Sequence, residues 1–225
     1  MTNISDQIRL LNFWETPIFL IKNPDHSTIK DDLKDYIYSQ EKLQHSPIDS
    51  NVAPRIKSNL SESEFNFLNR DNKTVSQVAQ FIIQSCSTCI SNINRQFWGR
   101  YKDQNLNIPK LEVHESWYHV TRTGGYHGAH AHPNCSWCAI YYVDIGEKDE
   151  NGIPSGRNTF FKPIVSSYYD PGMDWFVNSN QLEPPVEDGD LVLFPSYLYH
   201  NAFPYMGTKK DRIVIALNMR VNETK

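Results

Sequence analysis

Long apolar runs are missing from this sequence. The longest near its start, Pro17 to Ile21, falls far short of the roughly 20 residues that span a bilayer, and no basic segment leading into an apolar one precedes it. Neither a membrane anchor nor a secretory leader is expected, and the expected location is cytoplasmic. Positive charge is also scarce: 22 Lys and Arg against 26 Asp and Glu leave a net charge of −4, with a pI near 6.0. Phosphate backbones are held by concentrated positive fields, so no nucleic-acid partner is expected. Cysteine is limited to Cys86, Cys89, Cys135 and Cys138. These form two C-x-x-C pairs, which in a cytoplasmic chain suggest metal or redox chemistry before structural disulfides.

What is present suffices for one substantial core. With 225 residues, 39% hydrophobic and 12% aromatic, the chain reads as a single domain over 1–225. Phe13 to Ile21 resembles a short strand, and Thr28 to Glu41 has helical composition with Leu33, Ile37 and Tyr38 on one stripe. His45 to Asn72 is rich in Ser, Asn, Asp and Pro and reads as a surface segment. The clearest helix runs from Thr74 to Trp98. Thr74 and Gln77 suggest a capping box, Gly99 a stop, and Val75, Val78, Ile82, Cys86, Ile90 and Ile93 fall at three- and four-residue steps. An apolar face that wide must be covered, here by a sheet.

After Gly99 the texture changes to short β-rich runs: Leu111 to Thr121, His130 to Val143, Arg157 to Phe161, Leu191 to Phe194 and Arg212 to Val221. Turn residues between them suggest an antiparallel sandwich or barrel formed by 101–225, with the strand and helices of 1–100 packed on it. In the last run Ile213, Ile215, Leu217 and Met219 are apolar, whereas Arg212, Val214, Ala216, Asn218 and Arg220 share the other face. If that face lines a cavity, Arg212 is an anion hook.

His130 and His132 stand at i and i+2, which in an extended segment puts both on one face, and His200 follows GDLVLFPSYLY from a distant strand. Three such side chains can close a metal site that leaves positions open. A surface role for the pair beside the glycine-rich loop Gly124 to Gly128 is the plainer alternative. His119 and His127 read as neighbours of the site rather than ligands. Trp117, Tyr118, Tyr126 and Trp137 either shape a substrate pocket or pack the β core.

The run His130-Ala-His-Pro-Asn, then Cys138-Ala-Ile-Tyr-Tyr-Val-Asp, then Gly189-Asp-Leu-Val-Leu-Phe, His200 and Arg212, resembles the Fe(II)/2-oxoglutarate-dependent oxygenases, and among them the prolyl-hydroxylase-like group. A bacterial and phage branch carries this H-x-H-P variant of the usual H-x-D. The resemblance covers about Trp117 to Asn218. It implies a mostly β fold with flanking helices, a double-stranded β-helix or cupin-like jelly roll. It further implies Fe(II) held by His130 and His200, 2-oxoglutarate as cosubstrate, ascorbate as a candidate reductant, and hydroxylation of a small-molecule or peptidyl C–H with release of succinate and CO2. Arg212 matches the residue that binds the distal carboxylate of 2-oxoglutarate, and Tyr142 a tyrosine that assists it; Asn218, on the face of Arg212, is either a further cosubstrate contact or a satisfied buried polar residue.

His132 stands where that family has Asp or Glu. It is a third imidazole ligand, or it does not ligate and leaves a position for water, or a carboxylate such as Glu115 or Asp174 enters from elsewhere. Two other functions remain open: a three-histidine, cupin-like metalloenzyme that does not use 2-oxoglutarate, and a jelly-roll binding module stabilised by zinc on the four cysteines. Cys86 and Cys89 lie on the helix stripe, and burial as small hydrophobes explains them without zinc. Substrate and oligomeric state are not legible.

Overall fold

The computed structural model describes residues 15–43, 57–98, 110–163 and 180–222. In chain order they form β1 (Phe19–Lys22), α1 (His26–Leu43), β2 (Lys57–Glu62), a 3-10 turn (Phe67–Asn69), α2 (Lys73–Trp98), β3 (Lys110–His130), β4 (Trp137–Asp144), β5 (Asn158–Phe161), β6 (Gln181–Leu182), β7 (Asp190–Pro195), β8 (His200–Ala202) and β9 (Arg212–Asn222). The strands make one sheet in the order β1-β7-β4-β9-β3-β8-β5-β6, with β2 also pairing β3. Every ladder is antiparallel. The sheet curls into a half-barrel flanked by two helices, the mostly β, jelly-roll architecture expected from the sequence.

The curl comes from β3. Its first half pairs β9 from Lys110↔Asn222 to Thr121↔Arg212, and its end pairs β8 through His127↔Ala202 and His130↔His200. Between the halves the strand is irregular. Gly124 has φ +78°, open only to residues without a Cβ penalty, and a side chain at Gly125 would collide with the carbonyl of Asn59 on β2. The glycines expected to make a loop instead bend a continuous strand, which carries His127 and His130 round to face β8.

One face of the sheet is covered by the helices. Leu33 and Ile37 of α1, and Val75, Val78, Ile82, Cys86 and Ile90 of α2, pack with Tyr141, Val143, Leu193, Ile213, Ile215 and Met219. Each such side chain, fully withdrawn from water, contributes about 1.5–3 kcal/mol. Lys30 and Lys34, one helical turn apart, both reach Asp144 Oδ2 at 3.1 and 2.5 Å and pin α1 to the end of β4. The other, concave face holds Cys138, Ile140, Tyr142, Phe160, Val192, Phe194 and Val214. With both faces occupied, β7 is buried at every position, and Leu191 to Pro195 read as a continuous apolar run.

Three local expectations change. Residues 57–69 of the presumed surface segment form β2 and the 3-10 turn, with Phe67 and Leu68 buried; 45–56 lie outside the described residues, as do Phe13, Gly99 and Asp174. Helix α2 is capped by Asn72, whose Oδ1 accepts from the N–H groups of Thr74 and Val75 at 2.9 and 3.1 Å, not by Thr74. His130 ends β3 rather than opening β4. Among the described residues no helix is long and apolar enough to cross a membrane.

Candidate metal centre

Two strands and a loop bring three histidines together. His130 and His200 are direct cross-strand partners in the β3–β8 ladder, which places their side chains side by side. His132 lies past the end of β3, held by its backbone N–H on the carbonyl of Ser196 at 3.0 Å. One ring nitrogen from each of His130, His132 and His200 lies within 4.8 Å of the others. His130 Nδ1 donates to the Gly128 carbonyl at 2.7 Å, and His200 Nδ1 to the Leu198 carbonyl at 2.9 Å. Each bond fixes the tautomer in which Nε2 keeps its lone pair, as a metal ligand requires.

Burial, reinforced by the neighbouring rings, favours the neutral imidazoles. It pulls His132 down to about 4 and His200 down to about 3, and lowers His130 as well. A clustered, neutral donor set, with the tautomers of His130 and His200 fixed, suits Fe, Ni, Cu or Zn and fits the metal that the sequence implied.

The histidines divide two spaces. The inner cavity behind them is lined by Ile140, Asn158, Phe194, Arg212 and Val214, and the outer cleft, of about 270 Å³, by Lys57, Phe65, Glu115, Pro133 and Asn134; His130, His132, His127, Trp117 and Asn218 border both. Arg212 is 4% exposed. Its Nη2 donates to Asn158 Oδ1 at 2.6 Å, and Tyr142 Oη donates to the same oxygen at 2.8 Å. Among the described residues no carboxylate pairs with this guanidinium. Burial therefore lowers its pKa and pushes Tyr142 up to about 12, so the phenol remains a donor.

The other sequence candidates take different places. Asn218 borders the cavity but lies away from the Arg212 head group. Its Nδ2 donates to Glu115 Oε2 at 2.7 Å, and its Oδ1 accepts from Cys138 Sγ at 3.2 Å. Glu115 is thus engaged with Asn218 and is not in the ligand cluster. His127 stacks on His130 with centroids 4.0 Å apart and planes at 18°. His119 Nε2 lies 2.5 Å from Glu62 Oε2. Burial raises the Glu62 pKa, but His119 and Lys57 outweigh it and hold the carboxyl down to about 2. The cysteines form no common site: Cys86 packs in the helix-side core and Cys138 in the concave one, and all four are free.

Two residues escaped the sequence reading. Asn158, which joins Tyr142 to Arg212, opens a four-residue strand too short to show a face. Ser196, which positions His132, acts through its carbonyl and leaves no side-chain signal.

Residues 115–218 match the family described as "Putative 2OG-Fe(II) oxygenase". No curated protein sequence matches the chain. The fold is similar to a prolyl-4-hydroxylase from Pseudomonas putida, with 11% identity and a TM-score of 0.56, covering 91% of this chain and 93% of that one. It is also similar to a prolyl hydroxylase from Trichoplax adhaerens in complex with a hypoxia-inducible-factor peptide fragment (15%, 0.54, covering 90% and 82%). HygX from Streptomyces hygroscopicus, with nickel and 2-oxoglutarate bound, is a third (11%, 0.52, covering 91% and 82%). The site and fold define a metal-binding jelly-roll protein of oxidoreductase type. Over residues 115–218 the chain is similar to the 2OG-Fe(II) oxygenase family, with three clustered histidines at the metal motif.

Proposed function

We propose that this protein is an Fe(II)-dependent oxygenase that takes 2-oxoglutarate in the inner cavity and hydroxylates a substrate held in the outer cleft. The observation that carries the reading is Arg212: a buried guanidinium without a carboxylate partner among the described residues, bordering the same cavity as the three histidines. An unpaired buried charge costs several kcal/mol, and an anionic ligand removes that cost.

His130, His132 and His200 would hold the metal. Bound ferrous iron supplies the oxygen chemistry, with 2-oxoglutarate as co-reductant, giving succinate, CO2 and a hydroxylated substrate. Arg212 grips the far carboxylate by a charge-assisted fork, and Tyr142 donates to it without cancelling its charge. Asn158, which now accepts from both, yields its place to that carboxylate and turns with its Nδ2 anchored on the Asn201 carbonyl at 3.0 Å. Ile140, Phe194 and Val214 line the space between and keep it dry. The outer cleft is of a size for a small molecule or one side chain of a peptide.

His132 favours a second reading, a three-histidine metalloenzyme that acts without 2-oxoglutarate. An imidazole in place of a carboxylate makes the site one unit more positive, which disfavours high-valent metal states. Succinate release separates the two. With Fe(II), oxygen and 2-oxoglutarate, the first reading expects succinate from the native protein and none from His200→Ala or Arg212→Met. No succinate from iron-loaded protein, or release unaltered in Arg212→Met, would contradict it.

A further inference from the structure

Cys135 and Cys138 have no part in that chemistry, yet they are placed unlike the other cysteine pair. Their Sγ atoms lie 3.7 Å apart, so only about 1.7 Å of travel separates them from a disulfide. Cys135 is half-buried on a turn whose neighbours Pro133, Asn134 and Ser136 are exposed, and Cys138 is buried beneath it at the start of β4. Asn134 takes φ +62°, so the backbone already turns sharply there. Cys86 and Cys89, by contrast, sit three residues apart within α2, with Cys86 wholly buried.

The pair is tied to the His132 segment at one end and to the cleft wall at the other. Cys135 Sγ donates to the His132 carbonyl at 3.8 Å, and the Cys135 carbonyl accepts from Ser196 Oγ at 2.7 Å, the residue whose carbonyl holds the His132 N–H. Cys138 Sγ donates to Asn218, which holds Glu115 at the cleft wall. We propose that Cys135 and Cys138 are a peroxide-oxidisable dithiol whose closure into a disulfide weakens the metal site by displacing the segment that positions His132.

The chemistry balances with hydrogen peroxide as oxidant. The Cys135 sulfur attacks the O–O bond; an S–O bond forms, and hydroxide leaves with the thiol proton as water. The Cys138 sulfur then displaces the sulfenic oxygen, which departs as a second water with the Cys138 proton. Two thiols become one disulfide, and peroxide takes both electrons. Closure removes the Sγ donors to the His132 carbonyl and to Asn218 together.

The test uses the full chain loaded with nickel, treated with peroxide, denatured, alkylated and digested with trypsin. Both sulfurs fall on one peptide, Thr123 to Lys148, and the control pair on another, Thr74 to Arg95. Expected is a 123–148 peptide that escapes alkylation at both sulfurs, is about 2 Da lighter than its reduced form and recovers on reduction, while Cys86 and Cys89 remain alkylated. Cys138→Ala should stop at a sulfenic acid on Cys135 that dimedone traps. Should that variant not fold, Cys135→Ser, altered at the half-buried position, should leave Cys138 alkylated after peroxide. The oxidised protein should bind nickel about tenfold more weakly or worse, as expected when the groups supporting a ligand are lost. Thiols that survive peroxide, disulfides formed between molecules, or irreversible oxidation of Cys135 without pairing would overturn the dithiol. Unchanged nickel affinity in the closed form would overturn its hold on His132.

Discussion

Neighbouring residues of β9 inhabit different chemistries. Ile213, Ile215, Leu217 and Met219 point to the helices and are at most 1% exposed among aliphatic and aromatic side chains. Arg212, Val214, Ala216 and Asn218 line the cavity beside the histidines. β4 divides in the same way, with Ala139, Tyr141 and Val143 on the helix side and Cys138, Ile140 and Tyr142 on the other. A pleat of period two thus lets one strand serve two purposes: the helix face stores stability, and the concave face accepts unfavourable burial in exchange for chemistry.

The sharpest way to break this division is to truncate one face and watch the other. Ile215→Ala should cost about 2–5 kcal/mol of unfolding free energy in urea denaturation, while nickel affinity stays as it was. Loss of metal binding from a variant that unfolds normally would show the faces to be coupled. Arg212→Met is the converse. It removes a buried charge that lacks a carboxylate partner among the described residues, so stability should hold or rise by about 1–2 kcal/mol, while 2-oxoglutarate binding disappears. A marked loss of stability would mean that Arg212 is structural.

Glu62 sharpens the comparison through pH. Folding depresses its carboxyl from 4.5 to about 2, so its stabilisation is complete above pH 4.5 and is lost as pH falls towards 2. Glu62→Gln should therefore lie about 3 kcal/mol below the native protein at neutral pH, and thermal melts should converge with acidification between those values. The smallest effect belongs to the helix side: Asn72→Ala removes the cap of α2 and should cost about 1 kcal/mol with no change at the metal site.

The helix face was legible because its signal is periodic. The α2 stripe and the odd positions of β9 repeat often enough to reveal burial. On the concave face, His130, His132, His200 and Arg212 were legible from residue type and order, and the structure brings the three histidines into one cluster bordering the cavity of Arg212. Its supporting parts were not. Asn158 has too short a strand, Ser196 acts through backbone, and the bend in β3 depends on contact between Gly125 and Asn59, distant in sequence. Asn218 shares the face of Arg212, but facing alone does not say how far along a strand a ligand extends.

The claim that the concave face is a combined metal and anion site is tested most directly by calorimetric titration of 2-oxoglutarate into the nickel-loaded protein. Expected is saturable binding to native protein, abolished in Arg212→Met even though that variant still binds nickel. Equal binding to both proteins, or no binding to the native one, would contradict it.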